Sequence, residues 1–320
     1  PIPSPYMWAF KPNPYKYRKQ LKTLINLLKQ VMVGEDTPMS RKGHTLYCGT
    51  LAEVKVALRQ IRNVDPLINK DDWGVGLDTE GQGLAKVAPN GLSCIQFGIT
   101  TDLAYVIPLD HFDSPWDDQD KATVKEWLRD LFTDPTLKIE CWIAHEAKFD
   151  LNAVLRYFGI KQLAKPTVDP IFLEFLDDEN MRATGDDNSD GIGNDSFRSS
   201  FNLKTLLLMR CNFRHYNHKI LLIRTQPEGF WRTPMNPEVD YPPAEKELQE
   251  IFLDYCGMDA YGAKRLAITQ RAAMDSRGYT KAYYLALQWG SQVTHACRAM
   301  ERNGLPIDMK MLEFLMGDRS

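Results

Sequence analysis

Apolar and polar positions change period several times along the chain, and each change predicts a new element. Residues 45–48 read as a short strand. Residues 51–61 place Val54, Leu58 and Ile61 three to four apart, which is helical spacing. Residues 73–77 form an apolar run of strand length that ends in acid, so the strand delivers Asp78 at its tip. Residues 92–99 and 104–109 are two further strands, with a Pro89-Asn90-Gly91 turn before the first and 100–102 as a hairpin between them. An amphipathic helix over 121–131, a strand over 137–144 and a helix over 149–158 follow, the last stopped by Gly159. Residues 166–176 read as a short strand and then a helix, and 203–209 as a helix.

Elsewhere the pattern breaks. Residues 182–200 are rich in Gly, Asp, Asn and Ser and read as a mobile loop. Residues 212–243 are irregular and carry Pro227, Pro234, Pro237, Pro242 and Pro243. A long helix then spans about 244–273. Residues 1–43 form an N-terminal extension with a basic helix around 20–31, and 309–316 read as helix in a C-terminal helical segment over 276–320. Three strands, a helix, a strand and more helices, without an internal repeat, predict an α/β domain over 44–275 with a mixed sheet.

Composition changes this picture little. The chain has 320 residues, 43% hydrophobic and 25% charged, as in an ordinary globular protein. No apolar run reaches bilayer length, so no membrane partner is expected. The N-terminal proline and the lack of a basic-then-apolar start argue against secretion and suggest an internal fragment. Six scattered cysteines without a Cys-x-x-Cys pair suit reduced thiols in the cytoplasm (of a host, if viral) or an organelle. The net charge of −3 does not announce nucleic-acid binding. The cluster Lys11, Lys16, Arg18, Lys19 and Lys22 reads as readily as a solvated helix face as a phosphate-binding arm.

Candidate chemistry is concentrated in acidic residues. Residues two apart on a strand share a face, so Asp78 and Glu80 direct two carboxylates at one point. Like charges that close call for a shared cation. Asp150 opens the helix after the fourth main strand. Tyr255 and Asp259 are one helical turn apart on a face that also carries Leu248, Phe252 and Leu266, so they look inward. An unpaired carboxylate on a buried face is expensive. Four hard oxygen donors suit Mg²⁺ or Mn²⁺ rather than zinc. Two such ions would clamp the attacking and leaving oxygens of a phosphodiester, with the Tyr255 hydroxyl holding the water. Taken singly, each feature has a plainer reading: a surface acid pair, a helix N-terminal charge, a structural Tyr–Asp bond. Their joint occurrence in order favours the metal centre.

Other signals are weaker. Asp186-x-Asn188-x-Asp190-Gly191 starts like a calcium loop, but Phe197 stands where a bidentate glutamate is needed. His215 and His218 lack further zinc ligands nearby. Arg210, Arg214, His215, Lys219, Arg224, Phe230 and Trp231 mix cations with aromatics, as a strand-binding insertion or a plain surface loop would.

The segments VGLDTEG (75–81), AHEAKFD (144–150) and YCGMD (255–259) resemble the three motifs of the DnaQ-like, or DEDD, 3′→5′ exonucleases, and Tyr255 places the chain with the DEDDy branch. The resemblance covers about 45–275. Val168-Asp169-Pro170 and Asn202-Leu203-Lys204-Thr205-Leu206 are similar to further segments of the proofreading domain of family A DNA polymerases. Residues 295–308 resemble the stretch that opens the polymerase portion of such enzymes, which would then continue past Ser320.

The resemblance implies a ribonuclease H-like mixed sheet flanked by helices, and hydrolysis at a single-stranded or frayed DNA 3′ end. Asp78, Glu80, Asp150 and Asp259 would hold two Mg²⁺ or Mn²⁺ ions, with Tyr255 catalytic. Thr79, Leu84, His145, Glu146 and Phe149 would meet the substrate, and the polymerase domain of the parent chain would be a partner. The family usually has asparagine at the position of Glu146, and often Thr or Ser at that of Gly81. An RNA 3′ exonuclease and an inactive exonuclease-like scaffold are the alternatives.

Overall fold

A computed structural model describes residues 38–69, 73–81, 91–177, 202–214, 223 and 232–303. Six strands form one sheet: β1 (His44–Tyr47), β2 (Gly74–Gly81), β3 (Leu92–Gly98), β4 (Leu103–Pro108), β5 (Cys141–Ile143) and β6 (Thr167–Val168). Their order is β1-β4-β3-β2-β5-β6. β2, β3 and β4 form an antiparallel meander, while β1 joins β4, β5 joins β2 and β6 joins β5 in parallel. The mixed α/β fold expected from the sequence is therefore present, and it agrees with a ribonuclease H-like exonuclease fold.

The helices among the described residues are α1 (Leu51–Asn63), α2 (Asp118–Thr133), α3 (Ala147–Tyr157), α4 (Pro170–Asp177), α5 (Leu203–Cys211), α6 (Pro243–Ser276), α7 (Thr280–Leu285) and α8 (Ser291–Asn303), with a π-helical turn over Ala286–Gly290. Local chemistry fixes their starts. Thr50 and Glu53 form a capping box on α1, and the side chains of Asp117 and Asn202 cap α2 and α5. Gly159, at φ 64°, follows α3, as its sequence position predicts.

Alternation along the strands sorts the core into two layers. Val75, Leu77, Ile95, Phe97 and Trp142 face α1, α2 and α3. Cys94, Ala104, Val106, Cys141 and Ile143 face the other way, toward α6 and α5. Two strands differ in length from the sequence reading. β2 runs past Asp78, because β3 supplies partners as far as Leu92 opposite Gly81. β5 is shorter than 137–144, because its laddered partner β2 begins only at Gly74. Leu137 and Ile139 are buried nonetheless. At the C-terminal end Tyr283 is buried edge-on against Trp73, with ring centroids 5.2 Å apart, so α7 is docked on the sheet domain. No helix among the described residues is long and apolar enough to cross a membrane.

Candidate metal centre and active site

The site lies where β2, α3 and α6 meet. Asp78 and Glu80 leave β2 on the face opposite Val75 and Leu77, as the two-residue period requires. A register shift between Glu80 and Gly81 ends the regular ladder just beyond them. α6 crosses this face and presents Tyr255 and Asp259 from successive turns. Oxygens of Asp78, Glu80 and Asp259 all lie within 4.8 Å of one another.

A pair of glycines sets this approach. Gly76 and Gly98 stand opposite each other on β2 and β3. A methyl group on either would overlap the carbonyl oxygen of Ala260, the residue after Asp259. The helix backbone therefore rests directly on the sheet backbone, and its ligand face is brought down to the strand carboxylates. Gly257, one turn earlier, lies as closely against Thr45.

Asp150 completes the acidic set from the first turn of α3. Its carboxylate is 2% exposed and accepts a 2.7 Å hydrogen bond from the Thr79 hydroxyl. Burial pushes the Asp150 carboxyl well above the usual carboxylate range; the Thr79 bond opposes this, and the charges of Asp169 and Asp259 add to it. Burial also pushes Asp78 well up, reinforced by repulsion from Asp150, Asp259 and Glu80. One Asp78 oxygen, Oδ2, is buried and has no hydrogen-bond partner. An orphaned buried carboxylate oxygen among three other carboxylates is a poor arrangement for a metal-free protein and a good one for a hard divalent cation. The residues present therefore fit the ions expected from the sequence.

Tyr255 is buried and shares a hydrogen bond with Asp259, and burial with the carboxylates of Asp259, Glu80 and Asp78 raises its phenol well above the ordinary value. Its hydroxyl thus stays protonated at any physiological pH. The Lys204 ammonium lies over its ring, 5.0 Å from the centroid.

The remaining candidates fall into place unevenly. Phe149 is exposed beside Asp150, and His145 is half-buried beyond the end of β5. Glu146 is exposed and left-handed, at φ 58° and ψ 44°. Thr79 is buried with its hydroxyl bonded to Asp150, so that side chain holds a ligand and is not open to substrate. Leu84 lies outside the described residues. Arg210, grouped in the sequence reading with a strand-binding stretch, is instead paired with the buried carboxylates of Glu174 and Asp177. Sequence reasoning missed the Gly76–Gly98 contact and the Thr79–Asp150 bond, since both depend on register between separated segments. It quoted Asp169 only as part of a motif.

The family comparison agrees with this geometry. A family model described as 3′-5′ exonuclease matches residues 49–266, more than half of the chain. The chain belongs to the 3′-5′ exonuclease family. No curated protein matches this exonuclease chain. Its fold is similar to that of Brucella melitensis NrnC bound to pGG, at 18% identity and a TM-score of 0.42, covering 82% of this chain and 90% of that one. It is similar to the Nibbler EXO domain of Aedes aegypti, at 13% identity and a TM-score of 0.45, covering 76% and 94%. It is also similar to the catalytic core of RRP6 from Trypanosoma brucei, at 13% identity and a TM-score of 0.48, covering 89% and 61%.

Proposed function

We propose that this exonuclease domain removes nucleotides from the 3′ end of a single-stranded or frayed nucleic acid with the help of divalent metal ions. The observation that carries the reading is the meeting of Asp78, Glu80 and Asp259 within 4.8 Å, with Asp150 repelling Asp78 alongside. When bound, a pair of Mg²⁺ or Mn²⁺ ions supplies charge stabilisation to the phosphodiester oxygens and makes water more acidic. Asp78, Glu80, Asp150 and Asp259 are the residues that would hold them. Tyr255 donates to Asp259 and offers its own oxygen to a water on the open side. The apolar ring of Phe149, with Leu84 from the sequence, packs by the terminal nucleotide, which offsets the cost of splaying its base.

A phosphodiester is the same group in DNA and RNA, so the carboxylate set serves either polymer. The narrower DNA reading makes this the proofreading part of a family A polymerase. It rests on the resemblances at residues 168–170, 202–206 and 295–308, of which 304–308 lie outside the described part. The RNA-trimming reading needs nothing beyond the described domain and is the one we put first.

The test is digestion of 5′-labelled RNA and DNA oligomers of equal sequence with Mn²⁺ and with a chelator. A ladder shortening from the 3′ end, lost with chelator, is expected. The ratio of the two rates separates RNA trimming from DNA proofreading. Replacing both Asp78 and Glu80 by alanine should lower the rate by ~10³-fold or more. Undiminished digestion by that variant would remove the assignment. A wild-type chain that binds no Mn²⁺ and digests neither polymer would be the inactive scaffold.

A further inference from the structure

The N-termini of α3 and α4 lie side by side, because β5 and β6 are parallel neighbours and each runs straight into a helix. Asp169 sits between them. Its Oδ2 accepts the amide hydrogen of Ala147 at 2.9 Å, its Oδ1 accepts that of Ile171 at 2.9 Å, and the backbone N–H of Glu146 reaches it as well. The residue that should cap α3 by position, Glu146, makes no side-chain cap bond. A helix start leaves backbone N–H groups without intrahelical partners, and an acceptor there is worth most when it is charged and sheltered from water. Asp169 is 8% exposed.

We propose that Asp169 is a positioning residue: its carboxylate caps the helix that presents Asp150 and so fixes where that ligand points. The inference rests on the proposed role of Asp150. The helix that Asp169 leads into is held from the opposite side. Gln270 of α6 donates to the carbonyl of Pro170 at 3.0 Å and to Glu174 Oε2 at 2.9 Å, and Glu174 is clamped by Arg210. α6 also carries Tyr255 and Asp259. The two ligand-bearing helices are thus tied through the start of α4: Asp169 bonds the first residues of α3, and the adjoining Pro170 and Glu174 bond Gln270 of α6. Partners that orient metal ligands in this way matter to the site nearly as much as the ligands themselves.

The experiment compares wild type with Asp169→Ala and Asp169→Asn in the whole chain. Three quantities are read: the Mn²⁺ concentration for half-maximal digestion, kcat and KM on a labelled oligomer, and amide hydrogen exchange over 146–150. Asp169→Ala should need ~10-fold more Mn²⁺ and lose ~10-fold in kcat. Its KM should change less than about twofold, and the Ala147 amide should exchange faster. Asp169→Asn keeps one acceptor oxygen and should fall between; it carries the comparison if the alanine variant does not fold.

A folded variant with wild-type Mn²⁺ dependence and kcat overturns the proposal. So does a rate loss that only follows the unfolded fraction. If Ala147 exchanges faster in Asp169→Ala while wild type digests nothing, the cap stands and the nuclease reading falls. If wild type digests and Ala147 stays protected in the variant, the cap falls alone.

Discussion

Two clusters of charge meet at the same helix, one fully buried and one half-buried, and they are solved in opposite ways. Toward the C-terminal half of α6, Lys264 and Arg265 are fully buried cations. Lys264 donates to the carbonyl of Ile99, and Arg265 donates to those of Thr101, Met39 and Arg41 while its guanidinium stacks on Phe213 and Tyr261. Their hydrogen bonds end within the protein. One to two turns earlier, Asp259 meets Asp78 and Glu80, charges of one sign crowd together, and an Asp78 oxygen has no partner. Buried charge that is fully partnered holds a fold together. Crowded charge of one sign around a buried, orphaned oxygen calls for something the chain does not contain.

The sharpest way to break this contrast is to lift α6 off the sheet. Gly76→Ala places a methyl on the Ala260 carbonyl, a backbone atom that can move only with the helix. The two ligand pairs would separate, and a displacement near 1 Å costs ~10²-fold in rate. Overpacking should also lower stability by about 2–3 kcal/mol. The digestion rate at a temperature where the variant stays folded is the readout. A wild-type rate there would show that the glycine contact does not set the site.

Next in size is a pair of substitutions with opposite signs. Arg265→Met strands three carbonyls and should destabilise by about 3 kcal/mol, roughly 10 °C in Tm, with the rate of the folded protein little changed. Asp78→Asn should abolish digestion yet stabilise the metal-free protein. The sign follows from linkage. Burial and like charges raise the folded-state pKa of Asp78 above its unfolded value, so the folded form binds more protons between the two. Its contribution to stability is fully present below the unfolded pKa, near 4, and is lost as pH rises toward the folded one. Every tenfold difference in proton affinity between the folded and unfolded chain corresponds to about 1.4 kcal/mol. Urea melts without metal should therefore favour Asp78→Asn at pH 7.5, by an amount that shrinks at pH 5. Equal stability at both pH values would mean that the cluster carries no strain.

How much of this was legible in the sequence depends on the range of the signal. Asp78 with Glu80, and Tyr255 with Asp259, are separated by one period of their own element, so local spacing put them on shared faces. The order of elements followed from the same periods and from the turn residues between them. Contacts set by register were not legible: Gly76 against Gly98 and Ala260, Thr79 against Asp150, and Asp169 against Ala147. Each joins segments whose alignment appears only once the sheet is paired. Arg210 shows the converse hazard, since the mix of cations and aromatics around it left a strand-binding insertion open beside a plain surface loop, while its guanidinium is paired with the buried Glu174.

The smallest effect concerns Glu146, where local preference and global placement disagree. Its left-handed backbone costs a non-glycine residue roughly 1–2 kcal/mol, and asparagine tolerates it because its short side chain bonds locally. Its carboxylate also repels the buried Asp169, whose own carboxyl burial pushes up to about 7. Two substitutions separate these contributions. Glu146→Gln removes only the charge, whereas Glu146→Asn removes the charge and suits the backbone. Asparagine should stabilise the domain by about 0.5–1 kcal/mol more than glutamine, read as Tm or urea midpoint. Both variants should digest oligomers within a few-fold of wild type, because the Asp169 bonds to the backbone of 146 and 147 do not involve the replaced side chain. If asparagine gave no more stability than glutamine, the backbone at 146 would be unstrained.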